Sequence, residues 1–128
     1  MAVALLRREF AGREVSIDSS GLAAMAGYPV DAAAEQVMAS RGLSMAAHVA
    51  RQIRQEHLVA ADLVLAMEQR HLSALRALEP KARKKMSLLG KWRGDAEVAD
   101  PYGRDLAFFE ETFVKIERLV GDWPGRIP

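Results

Sequence analysis

Apolar residues recur at helical spacing in several parts of the chain. In the clearest case, a stripe at i, i+4, i+7 and i+11 predicts a helix that begins at the N-cap Asp105 and ends near Val120. Asp31 is a similar N-cap before a shorter helix, whereas no capping residue precedes the first helix. The stripe of the last helix consists of Phe109, Phe113, Ile116 and Val120. The predicted helices span residues 1–10, 32–40, 52–60, 68–78 and 105–120.

Three shorter segments between these helices have strand patterns. Residues 15–17 alternate apolar and polar, whereas residues 63–66 and 85–89 contain the apolar runs of strands that are buried on both faces. Strands that alternate with helices in this way indicate a parallel sheet with helices on both faces. The sequence therefore predicts an α/β fold, and its 128 residues are the length of one domain.

The amino-acid composition of the chain excludes several classes of function. The formal net charge is +1, so the chain is not expected to bind nucleic acid. We find no apolar run of membrane-spanning length and no signal peptide, so we expect a cytoplasmic protein that does not insert into membranes. The chain contains no cysteine, which excludes disulfides, thiolate metal sites and thiol nucleophiles within these residues. We expect no metal and no cofactor.

The segment Asp100-Pro101-Tyr102 is the first candidate for chemistry. It lies in a loop after the last buried strand, and ligands of open α/β sheets bind near the carboxyl ends of the strands. An Asp in that position can act as a general acid, but Asp-Pro is also a common turn sequence. His57 and His71 are predicted to lie on the surface. The basic run 81–85 is predicted to be a solvent-exposed surface.

Several segments, in this order, resemble one family. They are Ile17-Asp18-Ser19-Ser20-Gly21, Ala47-His48-Val49-Ala50-Arg51-Gln52-Ile53, Ala61-Asp62-Leu63-Val64-Leu65-Ala66-Met67 and Asp100-Pro101-Tyr102 before an aromatic-rich last helix. Together they resemble the low-molecular-weight protein tyrosine phosphatases. Lys91-Trp92 and the ending near Trp123 are most similar to the bacterial members that act on tyrosine autokinases of exopolysaccharide and capsule export.

The resemblance implies a mechanism and a role for four residues. In this family a cysteine in a C-x-x-x-x-x-R loop attacks phosphotyrosine and becomes a cysteinyl phosphate. Asp100 would be the general acid that protonates the departing tyrosine oxygen, and Tyr102 would stack on the substrate ring. Ser19 and His48 would hydrogen-bond to the phosphate loop and shape it. The implied fold is that of the phosphotyrosine phosphatases.

The chain departs from the family pattern at its N-terminus. The family's first strand and its phosphate loop precede a helix that reads like residues 1–6, so we expect one domain, 1–128, that is incomplete at its N-terminus. The absent strand lies in the centre of the family's sheet, and its loss would leave a slot of roughly 10 Å lined by unpaired backbone groups. The flanking strands could pair, a partner could donate a strand, or the chain could be part of a longer protein.

Two functions remain open at this point. The first is a phosphotyrosine phosphatase whose complete form contains the nucleophile, with a phosphotyrosine protein as substrate. The second is a non-catalytic pseudophosphatase that forms a homo-oligomer or a strand-swapped dimer through its open sheet. In either case we expect the 128 residues alone not to hydrolyse phosphotyrosine, because they contain no thiol.

Overall fold

The computed structural model describes residues 1–22, 31–44 and 50–126. Three 3-10 helices accompany the α-helices and strands, at Pro80–Lys85, Lys91–Arg93 and Pro124–Arg126. The helices are α1 (Ala2–Glu9), α2 (Ala32–Ala39), α3 (Gln55–Ala60), α4 (Gln69–Leu78) and α5 (Leu106–Val120), and the strands are β1 (Val64–Ala66) and β2 (Met86–Leu88).

The predicted caps of α2 and α5 are confirmed. The Asp31 side chain accepts a hydrogen bond from the Ala33 N–H at 2.8 Å, and the Asp105 side chain accepts one from the Phe108 N–H at 2.9 Å. Each bond satisfies a backbone donor that has no partner within its own helix. At α1 the N-cap is Met1, which forms no such side-chain bond, as the sequence predicted.

Within the described residues, the sheet consists of β1 and β2, which pair in parallel. Val64 and Ala66 of β1 pack into a cluster with α3 and α4, whereas Leu65 and Met67 pack against a second cluster built from α1, α2 and α5. Successive strand residues point to opposite faces, so one short strand contributes to both clusters. The fold is therefore α/β, with helices on both faces of a parallel sheet.

The stripe predicted for α5 is confirmed, since its four apolar residues are all buried. In α4, Leu72 and Leu75 are buried as predicted, but Leu78 is exposed. Leu78 is the last residue of α4. Instead of Leu78, it is Ala82 of the following 3-10 helix that is buried against α4.

The strand predicted at residues 15–17 is wrong. The segment has no strand neighbour among the described residues, and the Ile17 carbonyl instead accepts a hydrogen bond from the Arg7 guanidinium at 2.7 Å. The helix predicted at residues 52–60 begins only at Gln55, because Gln52 forms a parallel bridge with Gly21. The Ile53 N–H donates to the Gly21 carbonyl at 2.9 Å.

Candidate functional site

A cavity of about 420 Å³ lies where six parts of the chain meet, one of them the segment at Ser19. Its floor is apolar and includes Phe109 and Ile116 of α5. Its walls come from the first residues of α1, the start of α2 at Asp31, the segment 98–102 and the first turn of α4. Ligand sites of proteins are typically concave and mostly apolar, with a few polar groups, and this cavity has that composition.

The cavity brings together three of the four residues predicted for the site. Asp100, Tyr102 and Ser19 all line it, although Ser19 is about 80 residues from the other two in sequence. The fourth predicted residue, His48, lies outside the described residues. Among the residues that the structure describes, no group of three His, Asp or Glu side chains is arranged to hold a metal ion.

Asp100 and Tyr102 form a tight turn at the cavity mouth. Oδ1 of Asp100 accepts a hydrogen bond from the Tyr102 N–H at 3.0 Å, which is the turn that an Asp-Pro sequence favours. Asp100 is exposed, and Tyr102 is 66% exposed, so its ring is available to a ligand that enters the cavity. The turn and the acid interpretations are compatible, because the turn bond uses one carboxylate oxygen.

The segment that carries Asp100 is tied to the end of β1 and the start of α4. The Val98 N–H donates to the Met67 carbonyl at 2.9 Å, and the Gln69 N–H donates to Oε1 of Glu97 at 2.6 Å. β1 and α4 are thereby fixed against the loop. This arrangement places Asp100 near the carboxyl end of β1, as predicted for a ligand-facing position in an α/β sheet.

His71 is a cavity residue that the sequence analysis missed. It was predicted to lie on the surface, but its side chain is only partly exposed and lines the cavity from the first turn of α4. The available signal was its position five residues after Ala66, the last residue of a buried strand. An imidazole at this place can donate or accept a hydrogen bond to a ligand.

One carboxylate near the cavity, that of Glu68, has a perturbed pKa. The Arg70 guanidinium, through its hydrogen bond, holds the pKa of Glu68 below its ordinary value, and the charge of His71 and the Asp100 N–H act in the same direction. The cavity mouth thus combines carboxylates with nearby cationic groups.

Within the residues that the structure describes, no helix is both long and apolar enough to cross a bilayer. The basic run at 81–85 is exposed at Lys81, Arg83 and Lys84, as predicted. Lys85 differs, because its Nζ donates to the Val59 carbonyl at 3.0 Å at the end of α3.

The family model of the low molecular weight phosphotyrosine protein phosphatase matches residues 1–127. The chain is 34% identical over 123 residues to the low molecular weight protein-tyrosine-phosphatase Etp of Escherichia coli strain K12, covering 96% of this chain and 82% of that protein. It is 36% identical over 127 residues to the low molecular weight protein-tyrosine-phosphatase Ptp of Acinetobacter johnsonii, covering 99% and 87%.

A solved structure of Vibrio vulnificus Wzb in complex with benzylphosphonate has the same fold. It superposes with a TM-score of 0.92 at 27% identity, covering 98% of this chain and 88% of that one. Fold, sequence and the order of the motifs agree over nearly the whole length. The chain belongs to the low molecular weight protein tyrosine phosphatase family.

Proposed function

We propose that the cavity receives the ring of a phosphotyrosine side chain and that Asp100 is the general acid for its hydrolysis. One observation carries the proposal: Asp100, Tyr102 and Ser19, distant in sequence, line the same cavity. Tyr102 would stack on the substrate ring, and Ser19 with His48 would support the phosphate-binding loop. By its resemblance to the bacterial members of the family, the protein would be cytoplasmic and its substrate would be a tyrosine autokinase of exopolysaccharide and capsule export.

The reaction needs a nucleophile that the 128 residues do not contain. A thiolate would attack phosphorus, the bond from phosphorus to the tyrosine oxygen would break, and the Asp100 proton would pass to that oxygen. Water would then attack the phosphorus of the cysteinyl phosphate and pass a proton to Asp100, while the sulfur–phosphorus bond breaks and releases inorganic phosphate and the thiolate. We propose that the 128 residues alone do not hydrolyse phosphotyrosine, and that a thiol acting here belongs to polypeptide outside them.

The test compares the purified 128-residue chain with the protein made from its native gene, whose intact mass is measured first. We expect the 128-residue chain to leave p-nitrophenyl phosphate intact. If the native product contains a thiol, Asp100→Asn should lower its kcat by about 10²- to 10³-fold with phenyl phosphate. The loss should be smaller with p-nitrophenyl phosphate, whose leaving group needs less protonation.

The matched control is Asp95→Asn. Asp95 is an exposed carboxylate in the same loop with φ of 59°, a conformation that Asn tolerates. Its activity should equal that of the unmodified protein. Turnover by the pure 128-residue chain that disappears in Asp100→Asn would overturn the inactivity proposal, and equal losses in the two Asp variants would overturn the acid role.

The alternative function is a non-catalytic interaction module. Two observations favour it: the 128 residues have no thiol, and β1 has one strand neighbour, β2, within the described part of the chain. A strand edge can pair with a strand of another chain. Under this alternative, light scattering on the 128-residue chain should give the mass of a dimer or larger oligomer, and a monomeric mass would contradict it.

A further inference from the structure

We infer that Glu97 is a positioning residue, which ties the segment of Asp100 to the start of α4 at the cavity mouth. The catalytic consequence of this tie rests on the proposed function, whereas the tie itself does not. Glu97 does not line the cavity, so its effect on the reaction acts through the residues that follow it in the chain.

The N-terminus of α4 has no side-chain cap within its own sequence. Glu68 occupies the N-cap position, but its side chain forms no capping bond, and its Oε2 accepts instead from Arg70 Nε at 2.9 Å. The first turn of the helix also contains no acidic residue. The start of an α-helix leaves backbone N–H groups without partners and carries a partial positive charge. This end of α4 therefore favours a negatively charged acceptor from another part of the chain.

Glu97 provides that acceptor from the loop before Asp100. Its Oε1 accepts the hydrogen bond of the Gln69 N–H at 2.6 Å, and the two residues are 28 positions apart in sequence. Hydrogen bonds to a charged acceptor are shorter and stronger than those between neutral groups, which agrees with this distance. One carboxylate thus caps the helix and at the same time holds the loop.

A second bond at the neighbouring residue limits how the loop can rotate. The Val98 N–H donates to the Met67 carbonyl at 2.9 Å, and the Val98 side chain is buried. Residues 97 and 98 are therefore bonded on the two sides of Glu68, where β1 leads into α4. Two bonds at adjacent residues fix a direction as well as a position, whereas the Val98 bond alone would leave the loop free to pivot.

These two bonds decide where Asp100 lies. Asp100 follows two residues after Val98, and its Oδ1 accepts the Tyr102 N–H at 3.0 Å. His71, from the first turn of α4, lines the same cavity as Asp100 and Tyr102. The Glu97 bond therefore holds the cavity wall with His71 against the wall with the acid. A general acid must stay within hydrogen-bond reach of the leaving oxygen, so a loop that pivots would transfer its proton less often.

The tie is tested in the 128-residue chain by NMR. We expect Glu97→Ala to raise the exchange rate of the Gln69 amide about tenfold, as for the loss of one modest hydrogen bond. The backbone order parameters of residues 98–102 should fall from the rigid value of about 0.85 toward about 0.6. Glu97→Gln keeps an acceptor oxygen and should have a smaller effect. The matched control is Glu56→Ala, since Glu56 is exposed in the first turn of α3, and it should change neither quantity.

A second variant separates positioning of the loop from capping of the helix. Proline is favoured at the first position of a helix, where an N–H has no intrahelical partner, and the residue before it must be extended. Glu68 meets this condition with φ of −132° and ψ of 156°. Gln69→Pro should therefore preserve α4, remove the donor to Glu97 and lower the order parameters of residues 98–102 as Glu97→Ala does. A loop that stays ordered in both variants would overturn the inference, whether or not the protein has any turnover.

The catalytic consequence is tested in a native gene product that contains the thiol. Glu97→Ala and Gln69→Pro should each lower kcat about tenfold with phenyl phosphate and less with p-nitrophenyl phosphate, because the poorer leaving group depends more on the proton. Combined with Asp100→Asn, either change should cause no further loss, since both act through the same proton. Losses that multiply would overturn the positioning role. A thiol-containing product without any turnover would overturn the proposed function and leave the NMR result standing.

Discussion

At the scale of single residues, the absence of a side chain at Gly90 allows the loop before Asp100 to fold back on itself, so that Ala96 can approach Gly90 closely. Gly90 and Ala96 form an antiparallel bridge, with the Ala96 N–H donating to the Gly90 carbonyl at 3.1 Å. A Cβ atom at Gly90 would lie 2.8 Å from the Ala96 carbonyl carbon, a backbone atom that cannot rotate away. The adjacent Leu89 carbonyl accepts the buried Trp123 Nε1–H at 2.8 Å, so the bridge lies in a tightly bonded region.

Gly90→Ala is therefore expected to lower the free energy of unfolding by about 2 kcal/mol or more, the range for overpacking against fixed atoms. The measurement is urea unfolding followed by circular dichroism. Gly121→Ala is the control, because the added Cβ would lie 3.5 Å from the Arg118 carbonyl oxygen, an ordinary contact. If the two variants had equal free energies of unfolding, the expected clash between the added Cβ atom at residue 90 and Ala96 would be contradicted.

The residues of the site were predictable to different degrees. Asp100 and Tyr102 follow from the D-P-Y sequence, and Ser19 from its neighbours in the resemblance, and the cavity brings these three together. Their roles stay predictions. His71 was not identified, because its place in the cavity depends on how α4 packs beside the segment 98–102, although its position soon after a buried strand was a signal.

At the scale of elements, α5 follows most directly from the sequence. Its limits were predicted from the cap at its start and the Trp-Pro-Gly sequence after its end. Its buried face was predicted from the four-residue apolar stripe. The prediction failed where an element depends on a distant partner. Residues 15–17 alternate like a strand but lack a strand neighbour, and the first residues predicted for α3 instead bridge to Gly21.

The cap of α5 allows a direct test. Asp105→Ala should lower the free energy of unfolding by about 1 kcal/mol, because the Phe108 N–H loses its acceptor at the helix start. Glu110→Ala, an exposed change within the same helix, serves as control and should be nearly neutral. Thermal unfolding of both variants compares them, and an equal shift in Tm would mean that the cap contributes nothing.

At the scale of the whole molecule, β1 joins the two clusters of the core. Leu65 and Met67 face one cluster while Val64 and Ala66 face the other. Because the same three-residue strand belongs to both, neither cluster can unfold without disturbing its partner. We propose on this basis that the 128 residues fold as one domain, and we expect a single unfolding transition.

Acid should destabilise the whole molecule through two ion pairs. The guanidinium groups of Arg70 and Arg93 hold the pKa values of Glu68 and Asp122 below their ordinary range in the folded protein. Groups with a lowered folded pKa stabilise the fold above their unfolded pKa, about 4 for carboxyls, and this contribution is lost as pH falls through the folded pKa. We therefore expect stability to fall progressively below about pH 4.5.

Urea midpoints measured between pH 3 and pH 6 check this dependence. The double variant Glu68→Gln, Asp122→Asn should show a shallower decrease at low pH than the unmodified chain, and Glu56→Gln should not. The difference should shrink in high salt, since both pairs are partly exposed. An unchanged pH slope in the double variant would show that these pairs do not contribute.

The cavity floor has a consequence for how this site can diversify. Phe109 and Ile116 shape the cavity and at the same time belong to the buried cluster of α1, α2 and α5. A library that varies them would mostly return unfolded proteins, because large-to-small changes at such positions cost about 2 to 5 kcal/mol. Tyr102 and His71 also line the cavity, but they belong to neither buried cluster of the core. Selection for a new ligand should therefore accumulate substitutions at the rim and leave the floor unaltered.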